Sequence, residues 1–130
     1  MPERAISVGH FTETGYMPGS NKVNQDAYFE HHSIRGTDMK FFGVCDGHGH
    51  FGHDVSGYVK SRLPALLTED QNLFINNKHA IGSAVCKLSY DLMQSGIDAN
   101  FSGTTLISVL MDNKKLWCAN CGDSRALLAR

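Results

Sequence analysis

Asp46, His48, His50 and His53 stand close together in the stretch FFGVCDGHGHFGHD, residues 41–54, where an apolar run ends in an aspartate and glycine then alternates with histidine. A carboxylate at the end of a buried strand, followed by Gly47 with a carbonyl free to point the same way, makes a hard, all-oxygen donor set. Such donors suit Mg²⁺ or Mn²⁺, which keep several waters, better than zinc. Two more acids sit at the ends of expected strands, Asp26 at the entrance of QDAYFEH and Asp123 in the turn Gly122-Asp123-Ser124. Three acids at strand ends can converge on one edge of a sheet, or each can serve only its own turn, since aspartate favours turns. His48 stands next to the proposed ligand, where a histidine can serve as a general acid. His50 and His53 cap or flank the helix that follows. A zinc site from His48, His50 and His53 competes with this arrangement, but their spacing matches neither a helical i, i+4 pair nor a finger pattern. Cys118 and Cys121 have CxxC spacing in a strand-like stretch, with no second such pair to complete a zinc site.

The elements that must position these residues can be read from periodicity. Ala5 to Thr12 alternates weakly and suggests a strand; Thr14 to Asn24 is rich in turn formers and reads as a loop. Gln25 to His31 and the buried run Met39 to Cys45 are strands, joined by a turn at Ser33 to Asp38 containing Gly36. Asp46 is then at the mouth of a loop, where Gly47 frees the backbone to turn. Two helices follow. Val55, Tyr58, Val59, Leu63, Leu66 and Leu67 share one face of the first, with Pro64 expected to kink it or start a new turn. Asn76 or Asn77 caps the second, whose face carries Ile81, Ala84, Val85, Leu88, Leu92 and Met93 and which stops at Gly96. Thr104 to Met111, Leu116 to Cys121 and Arg125 to Arg130 are further strand candidates, with short turns between them that imply antiparallel neighbours. The pattern is α+β, with helices covering a mainly antiparallel sheet.

The chain has 130 residues, enough for one domain, and 42% hydrophobic residues, enough for a core. With 12 Lys plus Arg against 13 Asp plus Glu, charge offers no attraction to nucleic acid or an anionic membrane. No apolar stretch is long enough to span a bilayer and the N-terminus lacks a signal-peptide core, so a cytoplasmic or nuclear location is expected. Ending on the apolar strand ALLAR would leave a free sheet edge, which suggests the front part of something longer or an edge covered by a partner.

Taken in order, GSNKVNQDAYF, FFGVCDGHGHFGHDVSGYVKSRLPALL, SGTTLISVLM and LWCANCGDSRALLAR resemble the metal-dependent protein serine/threonine phosphatases of the type 2C class, the PPM family, over nearly the whole chain. The resemblance implies an antiparallel β-sandwich flanked by helix pairs, of which residues 1–130 would be the N-terminal part of one catalytic domain. It implies that Asp46 bridges two Mg²⁺ or Mn²⁺ ions, that Gly47 gives one of them its carbonyl, and that Asp26 organises the metal-bound waters. His48 would protonate the leaving serine or threonine oxygen of a phosphoprotein substrate, and Asp123 would contribute to a weaker third metal site. Two metals about 4 Å apart can clamp a phosphoryl group and acidify a water between them. Lys22 stands where many members carry a phosphate-binding arginine, giving a point charge instead of a bidentate fork. Gln25-Asp26 replaces the common Glu-Asp pair and removes one negative charge.

The family's domain is longer than this chain, and its second half supplies further metal-binding aspartates. Without them the centre is under-coordinated and apolar surface is exposed, which would favour self-association or pairing with the missing half. A pseudophosphatase or protein-interaction module without turnover is the alternative. The 130-residue chain alone is therefore expected to show little phosphatase activity; Mn²⁺-dependent hydrolysis of an aryl phosphate or phosphopeptide at rates typical of an intact domain would overturn this.

Overall fold

The computed structural model describes residues 5–130. In chain order the elements are β1 (Asp26–His31), β2 (Lys40–His48), α1 (Gly52–Glu69), α2 (Asn77–Gln94), β3 (Gly103–Thr104), β4 (Leu106–Met111) and β5 (Leu116–Cys121). The strands form one antiparallel sheet in the order β1-β2-β4-β5, with the short β3 pairing the far end of β2. The α+β class and the helix pair on one sheet follow the sequence pattern.

Strand alternation sorts the sheet into two faces. Phe29, Phe41, Cys45 and Leu110 turn toward the helices and are buried. They pack with Val59, Leu63, Leu66 and Leu67 of α1 and with Ile81, Ala84 and Leu88 of α2. Gly43 lies opposite Phe29, whose ring occupies the space a side chain would need: a Cβ there would sit 2.1 Å from ring carbon Cζ. The other face carries Phe42, Val44, Val109, Met111 and Leu116, with Val44 and Leu116 about half exposed at 50% and 49%. This is the apolar surface anticipated from the sequence.

The hairpin tip between β1 and β2 is tight. Ile34 bridges Thr37, and the central residues Arg35 and Gly36 have φ of 50° and 72°, the positive values that two-residue hairpin turns require. The Arg35 guanidinium lies over the Phe74 ring and donates to the Asp70 carbonyl, fastening the tip to the α1–α2 connection. Asn76 caps α2 by accepting from the His79 N–H at 3.1 Å. Gly96, with φ of 82°, follows the last turn of α2, where a left-handed residue closes a helix. Arg62 of α1 donates through Nε and Nη2 to Asp91 of α2, at 3.0 and 2.9 Å.

Four expectations are corrected. Helix α1 is not restarted at Pro64 but continues through it to Glu69: Leu63, Pro64, Leu66 and Leu67 are all buried, and that packing offsets the roughly 3 kcal/mol a proline costs inside a helix. Met93 is not on the buried face of α2; it is 71% exposed. Residues 5–12 form no strand. Side chains tie them down instead, His10 stacking on Tyr28 of β1 and Thr12 accepting from Asn24, ahead of that strand. Residues 125–130 likewise form no strand, because among the described residues no neighbour offers them a ladder, and Leu127 and Leu128 point into solvent.

Burial pushes the Cys45 thiol from 9.0 up to about 12. In the folded protein a thiol reagent should therefore label the exposed Cys86, Cys118 and Cys121 and spare Cys45. The unfolded thiol ionises first, so its contribution to stability is intact below about pH 9 and is lost as pH rises toward 12. Between about pH 8 and 10 the unfolding midpoint should fall more steeply for the wild type than for Cys45→Ala; equal slopes would contradict the assignment.

Candidate functional site

Asp26, Asp46 and His48 share one face of the sheet, while the third acid, Asp123, lies in the turn after β5. Asp46 is not at a loop mouth. Strand β2 continues through Gly47 to His48, because Gly47 pairs with Thr104 and His48 with Gly103. Asp26 is the direct partner of Asp46 across β1 and β2. Directly opposed residues share a face with Cβ atoms about 5 Å apart, and His48, two residues beyond Asp46, projects from that same face. All three side chains are open to solvent.

The paired carboxyls leave an electrostatic mark. Partial withdrawal from water, and after it the neighbouring Asp46 charge, raise the Asp26 carboxyl above its ordinary value, while Lys22 opposes the shift. Lys22 is thus close enough to act on this pair. It also lines an open cleft of about 530 Å³ with Gln25, His50 and His53.

Asp46 itself is held by its backbone. Its N–H donates to the Thr105 hydroxyl at 3.0 Å, and the Thr105 N–H donates to the Asp46 carbonyl at 2.9 Å. The Thr105 hydroxyl in turn bonds Ser124 Oγ at 2.6 Å, so the turn bearing Asp123 is tied to the strand position of Asp46. Gly122 at the head of that turn has φ of 106° and packs against the Thr105 methyl. Asp123 is exposed.

The segment SGTT, residues 102–105, has a task at three positions. Ser102 Oγ accepts from the Phe51 N–H at 2.9 Å, ahead of α1. Gly103 leaves room for the His48 ring, since a Cβ would lie 2.9 Å from its Cε1. Thr105 grips Asp46. The segment carried the family resemblance, but no pairing rule could assign these contacts, which span more than fifty residues of sequence.

Gly47 is needed for a different reason from the one its flexibility suggested. It lies in extended strand, buried against the start of α1, where an added Cβ would come within 2.4 Å of the Gly52 carbonyl oxygen. The turn falls two residues later, at Gly49 with φ of 84°. His50 packs edge-on against Phe51, and His53 lies 3.6 Å from Asp54, so the two point to local contacts rather than joining His48.

Among the described residues no group of three or more His, Cys, Asp or Glu side chains converges on one point. What the face offers is two opposed carboxylates and the adjoining Gly47 backbone. That fits Mg²⁺ or Mn²⁺, which are commonly held by one or two carboxylates while keeping several waters. A cation held there would also relieve the smaller part of the Asp26 shift that comes from the Asp46 charge, the larger part being partial withdrawal from water.

The family model for protein phosphatase 2C matches residues 16–130. Probable protein phosphatase 2C 35 of Arabidopsis thaliana is 42% identical over 120 residues, covering 91% of this chain and 34% of that protein. Probable protein phosphatase 2C 27 of Oryza sativa subsp. japonica is 32% identical over 104 residues, 78% of this chain and 29% of that protein. Among solved structures, the PPM Ser-Thr phosphatase MsPP of Mycobacterium smegmatis, crystallised in complex with cacodylate, superposes with a TM-score of 0.64 at 25% identity, over 88% of this chain and 44% of that one. The chain thus spans about a third of the length of the curated relatives it matches.

With its carboxyl raised, Asp26 keeps its proton to higher pH in the folded state than in the unfolded one. Ionisation then works against the fold, and this part of the stability is lost as pH rises through the raised value. In metal-free buffer at neutral pH, Asp26→Asn should give a small rise in melting temperature; a fall would show that the charged pair is not the repulsive contact described.

Proposed function

This chain belongs to the protein phosphatase 2C family, and from that premise we propose that the protein is a serine/threonine phosphatase acting on phosphoproteins at a Mg²⁺ or Mn²⁺ centre built on Asp46. The observation that carries the proposal is the direct opposition of Asp26 and Asp46, with His48 on the same face.

In this reading Asp46 and the Gly47 carbonyl would hold metal, Asp26 would orient water at the site, and Asp123 would add an acid to a weaker further site. When bound, the ions supply charge neutralisation for the phosphoryl group and acidify water. The remaining work belongs to the chain. Lys22, at the cleft beside Gln25 and His50, presents a cationic point charge to the phosphate. His48 gives a proton to the departing serine or threonine oxygen, a role imidazole side chains commonly fill. Thr105 keeps Asp46 from moving as charge shifts at phosphorus, which is the preorganisation such sites depend on. The acids that complete the metal shell are proposed to lie outside these 130 residues.

The test uses the full-length protein. Asp46→Asn should abolish Mn²⁺ binding by calorimetry together with phosphopeptide hydrolysis. His48→Ala should leave Mn²⁺ binding intact. It should slow phosphoserine peptide hydrolysis by roughly 10²- to 10⁴-fold, the span of a general acid, and affect an aryl phosphate much less, because a phenolate leaves without a proton. Equal losses on the two substrates would remove His48 from the acid role. Full activity in Asp46→Asn would sink the proposal.

A further inference from the structure

The side chain of Gln25 is committed to one contact. Its Nε2 donates to the Gly49 carbonyl at 2.6 Å, and its Cδ and Nε2 lie within 3.1 Å of where a Cβ on Gly52 would be. Its backbone carbonyl accepts twice, from the Gly47 N–H at 3.2 Å and from the buried Ser56 hydroxyl of α1 at 2.6 Å. One residue therefore holds the end of β2, the Gly49 turn and the first turns of α1. The Gly49 carbonyl also accepts from the Gly52 N–H at 3.3 Å, so it sits where the chain leaves the strand for the helix. The turn itself has no freedom to compensate, because Gly49 is packed against the backbone of Phe101 and Ser102.

We propose that Gln25 is a positioning residue for the Asp46–His48 segment, and that its uncharged amide, not a carboxylate, is what this chain requires at that place. A carbonyl oxygen only accepts, so the group facing it must donate. An ionised glutamate would set two acceptors against each other and lose the bond, leaving the Gly49 carbonyl only the longer contact from the Gly52 N–H. Asp26, the next residue, and Gly47 and His48, on the far side of the clamp, would then lose their fixed spacing. The absence of an acid at position 25 is, on this account, a requirement of the turn and not a weakness of the site.

The inference rests on the metal reading above, and the sign of one measurement tests it. Electrostatics alone predicts that Gln25→Glu, by adding a negative charge near two metal-binding carboxylates, tightens Mn²⁺ binding. The clamp predicts the reverse. In the full-length protein, calorimetric titration with Mn²⁺ should show binding weakened on the order of tenfold, and hydrogen exchange should quicken across residues 47–53. Gln25→Met, similar in length but without a donor or a charge, should weaken binding in the same direction, and it decides the matter if the glutamate variant does not fold. Unchanged or tighter Mn²⁺ binding in either folded variant overturns the proposal, as does unchanged exchange. If the wild type binds no Mn²⁺, the metal reading falls, and the exchange measurement alone then upholds or overturns the clamp.

Discussion

Two carboxylates directly opposite one another across a pair of antiparallel strands repel, and a sheet keeps such a pair only where the rest of the fold outweighs it. Asp26 and Asp46 are held in that position here, and much of the structure is arranged around them. Both strands present Phe29, Phe41 and Cys45 to the helices on the opposite face, so slipping the register by one residue would turn that apolar set out to water. The core therefore fixes where the two acids face, and the raised Asp26 carboxyl is the local penalty for obeying it.

Around the pair, backbone contacts do most of the fastening. Thr105 grips both polar backbone groups of Asp46. Gly47 and Gly52 let strand and helix meet without intervening side chains, and Gln25, just ahead of β1, closes the same junction. Such contacts are shorter and less adjustable than side-chain packing. They leave the Asp46, His48 and Asp26 side chains free to meet a ligand while their Cα positions stay put.

The helices and central strands were legible because their signals are local: the apolar spacing of Val55 to Leu67, the Asn76 cap, the turn at Gly36. The acids Asp26 and Asp46 could be singled out for the same reason, Asp26 at the entrance of a strand pattern and Asp46 at the close of an apolar run. Their direct opposition could not, since it depends on register across a hairpin. The DGHG segment was misread as a turn from Asp46 onward because glycine and histidine carry no apolar alternation. What keeps it extended as far as His48 is a two-residue strand arriving from the other side of both helices. Residues 5–12 and 125–130 failed as strands for the complementary reason, since alternation along one segment says nothing of whether a neighbour is there to pair with it. The role of Gln25 was equally hidden. By composition it is one charge fewer; by geometry it is a donor aimed at a carbonyl.

The order of the strands has a bearing on how the protein acquires this site. The β1–β2 and β4–β5 pairs are hairpins closed by short loops, whereas β2 meets β4 only after the whole α1–α2 segment has been folded back between them. Local pairs close quickly, and pairing across long loops is slow because the chain entropy must be surrendered first. The opposed aspartates thus belong to a local hairpin, whereas the Thr105 contact with Asp46 needs the long-range meeting of β2 with the start of β4. During folding and synthesis there is an interval in which the repelling pair exists without the hydroxyl that later steadies it. In that interval a divalent cation, which two opposed carboxylates suit, would have the most to offer the nascent chain.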